Sequence, residues 1–421
     1  MNYRIFPPEE LPECTVTLPL SKSMSARALI INALIQRCDT SSLQLAECTD
    51  TQAMRNGISL RSGTVDINNS GTAMRFLTAF HAATPGSHIT LQGCDRMHHR
   101  PIAPLVEALI QCGADIRYLG EPGFPPLEIR GSHLTGGHIT VNASISSQFI
   151  SALMMTAPYM EQGLEITLDG EVASRPYITM TAEMMTKAGA NVETTTDTIR
   201  IAPSQYTTPI ARIESDWSAA AFWYEIEALT SGFITLNGTL HPSIQGDSVI
   251  SHIFSNLGVD TEFTPQSADL VASPELSPRL QLDLQATPDI VPALVVTCIM
   301  LRIPFRFTGL ESLHIKECDR IEALCEETLL VGAVITREAP GIISWDGIPR
   351  PIQQLPVFHT HDDHRMAMAL APVATYLPGI VICDAEVVSK SYPSFWNDMR
   401  LAGFIVQDEN DPIPTQFTDN Q

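Results

Sequence analysis

Lysine is almost missing from this 421-residue chain. There are only four, Lys22, Lys187, Lys316 and Lys390, and three of them fall inside motifs described below. A chain this poor in lysine does not use it for general solubility. Positive charge is short overall: 25 Lys and Arg face 47 Asp and Glu, for a formal net charge of -22. That balance argues against nucleic acid or an anionic membrane as partner. It leaves a small anionic substrate open, because where the few cations stand matters more than their sum. The nine cysteines include no C-x-x-C pair and are odd in number. This fits reduced thiols in a cytoplasmic setting better than a disulfide framework. The first twenty residues are acidic and proline-rich, so no secretory signal is expected. The longest apolar run, Pro292–Leu301, stops at Arg302 and is too short to span a bilayer. What the chain does have is 44% apolar residues and a length that suits two domains, each with a sizeable core.

A small residue followed by Gly and then a strand-like run recurs along the chain. It appears as Cys112-Gly113, Ala188-Gly189, Leu257-Gly258, Val331-Gly332 and Ala402-Gly403. These sites lie roughly seventy residues apart, the mark of one supersecondary unit used repeatedly. Each Gly is placed as the C′ residue of a helix. Alternating runs at His88–Leu91, Leu164–Leu168, Phe233–Leu236 and Ile380–Ile382 read as strands. Each unit therefore mixes strands and helices. Gly57 is the best candidate for the first glycine, although it stands closer to Gly113 than the period predicts, so the first unit reads as abbreviated. A break between halves falls near residues 207–216. The polar stretch from Asp408 onward is expected to fray.

Most of the chemistry-bearing residues precede helices. Ser21-Lys22-Ser23-Met24-Ser25-Ala26-Arg27 leads into an apolar helix and offers three serines as caps. A cation at a helix start has the wrong sign for the dipole, and a bound anion supplies a reason for it. Gly71 and Arg75 open the next apolar helix, and Arg96 and Arg100 stand before Pro101. Arginine forks match carboxylate or phosphate. Ser146, Ser147 and Gln148 are neutral donors at a further helix start, and Ser174 precedes Arg175-Pro176. Asp289 follows Pro288. Lys316-Glu317-Cys318-Asp319-Arg320 and Asp362-Asp363-His364-Arg365 open two more helices, and Lys390 lies between Ser389 and Ser391. Each of these, taken singly, is also what an ordinary capped helix start looks like. Their common theme would make one cation-rich cleft if the helix starts converge.

In their order and spelling these motifs resemble the 5-enolpyruvylshikimate-3-phosphate (EPSP) synthase family. The resemblance runs from about residue 14 to 404. It is carried by Ser21-Lys-Ser-x-Ser-x-Arg27, Asn69-Ser-Gly-Thr-Ala-Met-Arg75, Arg100-Pro-Ile, Ser146-Ser-Gln-Phe, Ser174-Arg-Pro-Tyr, Lys316-Glu-x-Asp-Arg320, Asp363-His-Arg-Met-Ala-Met368 and Lys390. It implies an α/β (α+β) fold, a two-domain inside-out barrel of six β-α-β-α-β-β repeats. Residues 21–215 would form one domain, mainly for shikimate 3-phosphate. Residues 1–20 with 216–421 would form the other, mainly for phosphoenolpyruvate. The active site would lie in the cleft between them, with no metal or organic cofactor, in a monomeric cytoplasmic enzyme. Shikimate 3-phosphate would be held by Lys22, Ser23, Arg27, Ser146, Ser147, Gln148, Ser174, Asp289 and Lys316. Phosphoenolpyruvate would be held by Lys22, Gly71, Arg100, Gln148, Arg320, Arg365 and Lys390. Asp289 would be the base on the 5-hydroxyl, Glu317 the proton-transfer partner at the methylene carbon, and Lys22 would reach both substrates. Leu20, Ala26, Phe76, Ser312 and His314 depart from the family's usual Gly, Asn, Pro, Asn and Arg. Two other readings are a UDP-N-acetylglucosamine enolpyruvyl transferase and a catalytically impaired homologue that only binds phosphorylated ligands.

Overall fold

The computed structural model describes residues 1–35, 43–144 and 146–420. They divide into two compact units, Leu20–Ile213 and a discontinuous one made of Met1–Pro19 with Glu214–Gln421.

Period-2 patterning builds the strands. In His88–Gln92, Ile89 and Leu91 are fully buried while the residues between them face outward. Its sheet runs Ser62–Asp66, His88–Gln92, Leu127–Arg130, Asp115–Tyr118. The first two strands are parallel and the remaining pairings antiparallel. Two helices, Gly71–Ala82 and Ala103–Gln111, follow the first and second strands in sequence. The module is thus β-α-β-α-β-β, with its strands lying in the order first, second, fourth, third. The second sheet of this unit repeats that order with Gly137–Asn142, Leu164–Asp169, Thr198–Ile201 and Val192–Thr194. The stretch before Ser62 supplies two helices, Lys22–Leu34 and Thr49–Ser59.

The discontinuous unit holds three sheets of the same order. One is Glu13–Thr17, Phe233–Asn237, Ser267–Leu276, Leu257–Phe263, and another is Leu280–Asp283, Phe305–Thr308, Ile342–Trp345, Thr336–Ala339. In the third, Val357–Phe358 and Ile380–Ile382 are followed by Tyr3–Phe6 and then Ile405–Asp408. The first strand of the chain takes the fourth place in this module, antiparallel to both neighbours. Helices Trp217–Thr230 and Val291–Met300 are apolar on nearly every face and lie in the core.

Gly113, Gly189, Gly332 and Gly403 have positive φ just past a helix end, whereas Gly258, also at positive φ, lies inside strand Leu257–Phe263 at an irregularity of its register. Gly57 does not belong with them. It lies inside helix Thr49–Ser59, buried, where a Cβ would run into the Leu77 side chain. It permits two helices to pack closely rather than ending one. Within the stretch expected to fray, Phe417 stacks on Phe6 with ring centroids 4.7 Å apart. No helix among the described residues is long and apolar enough to cross a membrane.

Candidate active site

In unit Leu20–Ile213 the Ser21 hydroxyl caps helix Lys22–Leu34, accepting from Met24 N–H at 3.4 Å. Lys22 and Ser23 therefore stand in the first turn. Lys22 Nζ lies 3.2 Å from Asp50 Oδ2, a buried acid on helix Thr49–Ser59. Sequence reading assigned Lys22 no partner. The wrong-sign cation at this helix start is balanced by Asp50 rather than left to a ligand alone.

Arg27 is 2% exposed and turned inward. Its Nε donates to Thr181 Oγ1 at 2.7 Å, Nη1 to Ser23 O at 2.9 Å, and Nη2 to Ser151 Oγ at 3.1 Å and Tyr177 O at 3.4 Å. Four of the five guanidinium hydrogens are thereby used. Phe76, where the family usually has Pro, supplies a ring face 5.3 Å from the guanidinium carbon. Burial pulls this guanidinium down to about 10.

A second polar group forms around the start of helix Gly71–Ala82, capped by Ser70. A methyl group on Gly71 would lie 2.7 Å from Arg100 Nη2 and closer still to Arg75 Nη1. The absent side chain is what lets two guanidinium groups approach this backbone. Arg100 is 6% exposed, and its Nε and Nη1 have no hydrogen-bond partner among the described residues. A buried cation with idle donors is the kind of group an anion completes. Gln148 Nε2 donates to Thr72 Oγ1 at 3.1 Å, joining helix Ser147–Thr156 to the same place. Ser146 caps that helix, and Ser147 is its buried first residue. Ser174 precedes helix Arg175–Lys187 in left-handed backbone with φ 54°, and its side chain makes no capping hydrogen bond to that helix. The structure thus joins Gly71, Arg100 and Gln148 in one group and Ser23 and Arg27 in another.

In the discontinuous unit the assigned residues form a single network. Arg320, 1% exposed in its side chain, opens helix Arg320–Leu329. Its Nε donates to Asp363 Oδ2 at 2.7 Å, Nη1 to Asp289 Oδ1 at 2.9 Å and Nη2 to Glu317 Oε2 at 3.0 Å. Asp289 lies also 3.5 Å from Lys316 Nζ and 3.1 Å from Arg365 Nη2. Lys390 Nζ is 3.9 Å from Glu317 Oε1. Lys390 ends a 3-10 turn, Ala385–Lys390, instead of opening a helix, so it departs from the helix-start theme. Asp363, quoted only as part of a motif, proves central: fully buried, it grips Arg320 and also caps helix His364–Leu370 through Arg365 N–H at 2.9 Å. His314 Nδ1 is taken by Asp319 Oδ2 at 2.7 Å.

Electrostatics follow from this packing. Burial alone would raise the Asp289 carboxyl, but Arg365, Lys316 and Arg320 together hold it well below the usual carboxylate range. Burial lowers the Lys316 ammonium, with Asp289 opposing. Burial also works against the Arg320 cation, yet Asp363, Glu317 and Asp289 outweigh it and keep the guanidinium charged. The resulting arrangement is a partly exposed carboxylate held among cations that an incoming anion can draw away.

Repeated β-α-β-α-β-β modules and a concentration of cations at helix starts are those of an enzyme built for small anionic metabolites. The chain belongs to the EPSP synthase family, the 3-phosphoshikimate 1-carboxyvinyltransferases. That family's sequence profile matches residues 59–399. A 3-phosphoshikimate 1-carboxyvinyltransferase of Bacteroides fragilis strain YCH46 is 47% identical over 406 residues, covering 96% of this chain and 98% of its own. One from Methanospirillum hungatei is 34% identical over 421 residues, covering 92% and 96%. The fold matches EPSP synthase from Acinetobacter baumannii with a TM-score of 0.75 at 22% identity, over 97% of this chain and 100% of that one. The family assignment does not favour the UDP-N-acetylglucosamine enolpyruvyl transferase or the impaired-homologue reading.

Proposed function

We propose that the protein transfers the enolpyruvyl group of phosphoenolpyruvate to the 5-hydroxyl of shikimate 3-phosphate, releasing phosphate, with the residue roles that follow. The observation that carries the roles is Asp289 seated among Arg320, Arg365 and Lys316.

Both substrates are polyanions, and desolvating them calls for paired cations. In unit Leu20–Ile213, Lys22, Ser23, Arg27, Ser146, Ser147, Gln148 and Ser174 serve shikimate 3-phosphate. Arg27 contributes through its one uncommitted N–H and mainly as a strut for Ser23. Gly71, Arg100 and Gln148, with Lys22, serve phosphoenolpyruvate, and the idle donors of Arg100 support this. In the other unit Arg320, Arg365 and Lys390 serve phosphoenolpyruvate, while Lys316 and Asp289 meet the acceptor. The five like-ordered sheets support reading the fold as the six-module inside-out barrel with an abbreviated first module.

Asp289 begins as a weak base because three cations stabilise its charge. Binding of an anionic donor competes for those same cations, which makes Asp289 more basic when the hydroxyl is present. Asp289 then takes the 5-hydroxyl proton as that oxygen bonds to C2 of phosphoenolpyruvate. The C2–C3 electron pair captures a proton at C3, delivered by Glu317 in its protonated form once the donor anion has drawn Arg320 away from it. Loss of phosphate from C2, with return of one C3 proton to Glu317, restores the double bond, and the departing phosphate takes the proton held by Asp289. Lys390, beside Glu317, supports its proton exchange. The eight described cysteines are all free thiols, which supports a reducing setting.

The test is phosphate release with both purified substrates present. Asp289→Asn should lower kcat by roughly 10²–10⁴-fold, the range for a lost general base. Turnover by that variant equal to the parent's removes the assigned role.

A further inference from the structure

One carboxyl beside the acid–cation network has been given no task. Asp247 lies in the 3-10 turn Gly246–Val249 and is 3% exposed. Ser218, in the first turn of helix Trp217–Thr230, donates its hydroxyl to Asp247 Oδ2. Oδ1 has no hydrogen-bond partner among the described residues. Gln245 fastens the turn to the helix start. Its Oε1 accepts from Trp217 N–H at 3.2 Å and its Nε2 donates to Ser215 O at 2.8 Å. Asp247 is therefore carried into the interior by its backbone, with half of its carboxyl unsatisfied.

The charges that act on it come from the neighbouring elements. Asp289, before helix Val291–Met300, and Asp216, the cap of helix Trp217–Thr230, repel its anion, while Arg365 of helix His364–Leu370 attracts it. Glu214, the other acid of this loop, is engaged by Ser243 and Gln245. Burial first, then Asp289, push the Asp247 carboxyl up to about 7, with Ser218 and Arg365 opposing in part.

Charge balance gives this position a consequence. Lys316, Arg320 and Arg365 meet Asp289, Arg320 also meets Glu317 and Asp363, and Lys390 lies beside Glu317. Ionisation of Asp247 adds one negative charge next to this group and gives Arg365 a second carboxylate acting on it. Either change weakens the pull on an acidic ligand.

We propose that Asp247 is a positioning residue for the phosphorylated donor, acting through Arg365 and Asp289 to set how strongly this unit attracts the donor's negative charge. The inference rests on the roles given above to Arg365 and Asp289. It predicts donor affinity that falls as pH rises through neutrality.

The measurement is KM for phosphoenolpyruvate and kcat from pH 6 to 8.5, for the parent and Asp247→Asn. The ratio of the two KM values cancels the donor's own ionisation. It should be near one at pH 6 and grow to about fivefold, parent over variant, at pH 8.5, as expected for one added charge at partial screening. The change should sit in KM for the donor and not in KM for shikimate 3-phosphate. A ratio that does not vary with pH overturns the proposal, as does a kcat loss of constant size at every pH. Should Asp247→Asn fold poorly, Ser218→Ala serves: it removes a hydrogen bond to the ionised form and should move the parent's KM rise to higher pH. No such movement also overturns it. Full activity of Asp289→Asn would instead break the underlying reading, whatever Asp247 does.

Discussion

Replacing Asp363 should cost this protein more than replacing any exposed acid in it. The side chain is fully buried and holds Arg320 by two contacts, Nε to Oδ2 at 2.7 Å and Nη2 to Oδ1 at 3.4 Å. Removing one partner of a buried ion pair strands the other and costs about 3–5 kcal/mol. Arg320 keeps Asp289 and Glu317, so the lower end, about 3 kcal/mol, is the better figure. Asp363→Ala also loses the cap on Arg365 N–H, worth about 1 kcal/mol. Asp363→Asn keeps a capping oxygen and loses mainly the charge. At about 2–4 °C per kcal/mol for a domain of this size, the Ala variant should melt roughly 8–16 °C lower and the Asn variant less so. Calorimetry on the purified variants reads this directly. A second arm checks the cause: Arg320→Met placed on Asp363→Ala removes the stranded charge and should recover part of the loss. An Ala variant melting within 2 °C of the parent, or a double variant less stable than both singles together predict, would refute the reasoning.

Gly71→Ala should raise KM for phosphoenolpyruvate about tenfold or more with a smaller effect on kcat, because the methyl displaces the Arg75 and Arg100 guanidinium groups; an unchanged KM argues that neither arginine meets the donor. Glu225 is buried with neither oxygen paired among the described residues, and burial holds its carboxyl well above the usual range. The folded chain therefore binds this proton more tightly than the unfolded one, and stability drains away as pH rises above the ordinary carboxyl range. Glu225→Gln should raise the melting temperature at pH 8 and do little at pH 4.5. His81 shows the opposite sign. Burial lowers it to about 4, so the fold excludes a proton that the unfolded chain accepts, and stability falls as pH drops from about 6.5 to 4. Melting curves across that window should be flatter for His81→Gln, whose amide can keep partners near Ser87 and Gly57 O.

The local signals in the sequence were legible because they depend on neighbours a few residues away. Positive φ at Gly113, Gly189, Gly332 and Gly403 is a helix-end requirement, and the His88 and Leu164 strands follow from alternation alone; Gly258 shares the pattern but bends a strand instead. Gly57 was misread for the same reason: a glycine inside a helix looks like one after it until Leu77, on another helix, is seen against it. The polar residues at helix starts were legible as candidates, but their partners were not. Asp50 beside Lys22, and Asp363 gripping Arg320, are separated in sequence from what they hold, and an acid near a helix start reads as a plain cap. Asp247 carried no motif at all. Its interest comes from burial without a full set of hydrogen bonds, which only packing reveals. Arg27 was legible as a cation but not as an inward one, since Thr181 and Ser151 stand far along the chain.

The strand Tyr3–Phe6 sits between Ile380–Ile382 and Ile405–Asp408, so one sheet needs both the first and the last segments of the chain. During translation the contiguous stretch Leu20–Ile213 leaves the ribosome with all of its own residues and is free to fold early. Strand Tyr3–Phe6 must wait, unsheltered, until some four hundred more residues have been joined, whereas Glu13–Thr17 can pair once Phe233–Asn237 has been made. Chaperone demand and protease risk therefore fall on these late-pairing strands, and a nascent chain stalled before residue 405 should present a finished Leu20–Ile213 unit and a discontinuous unit whose last sheet is incomplete.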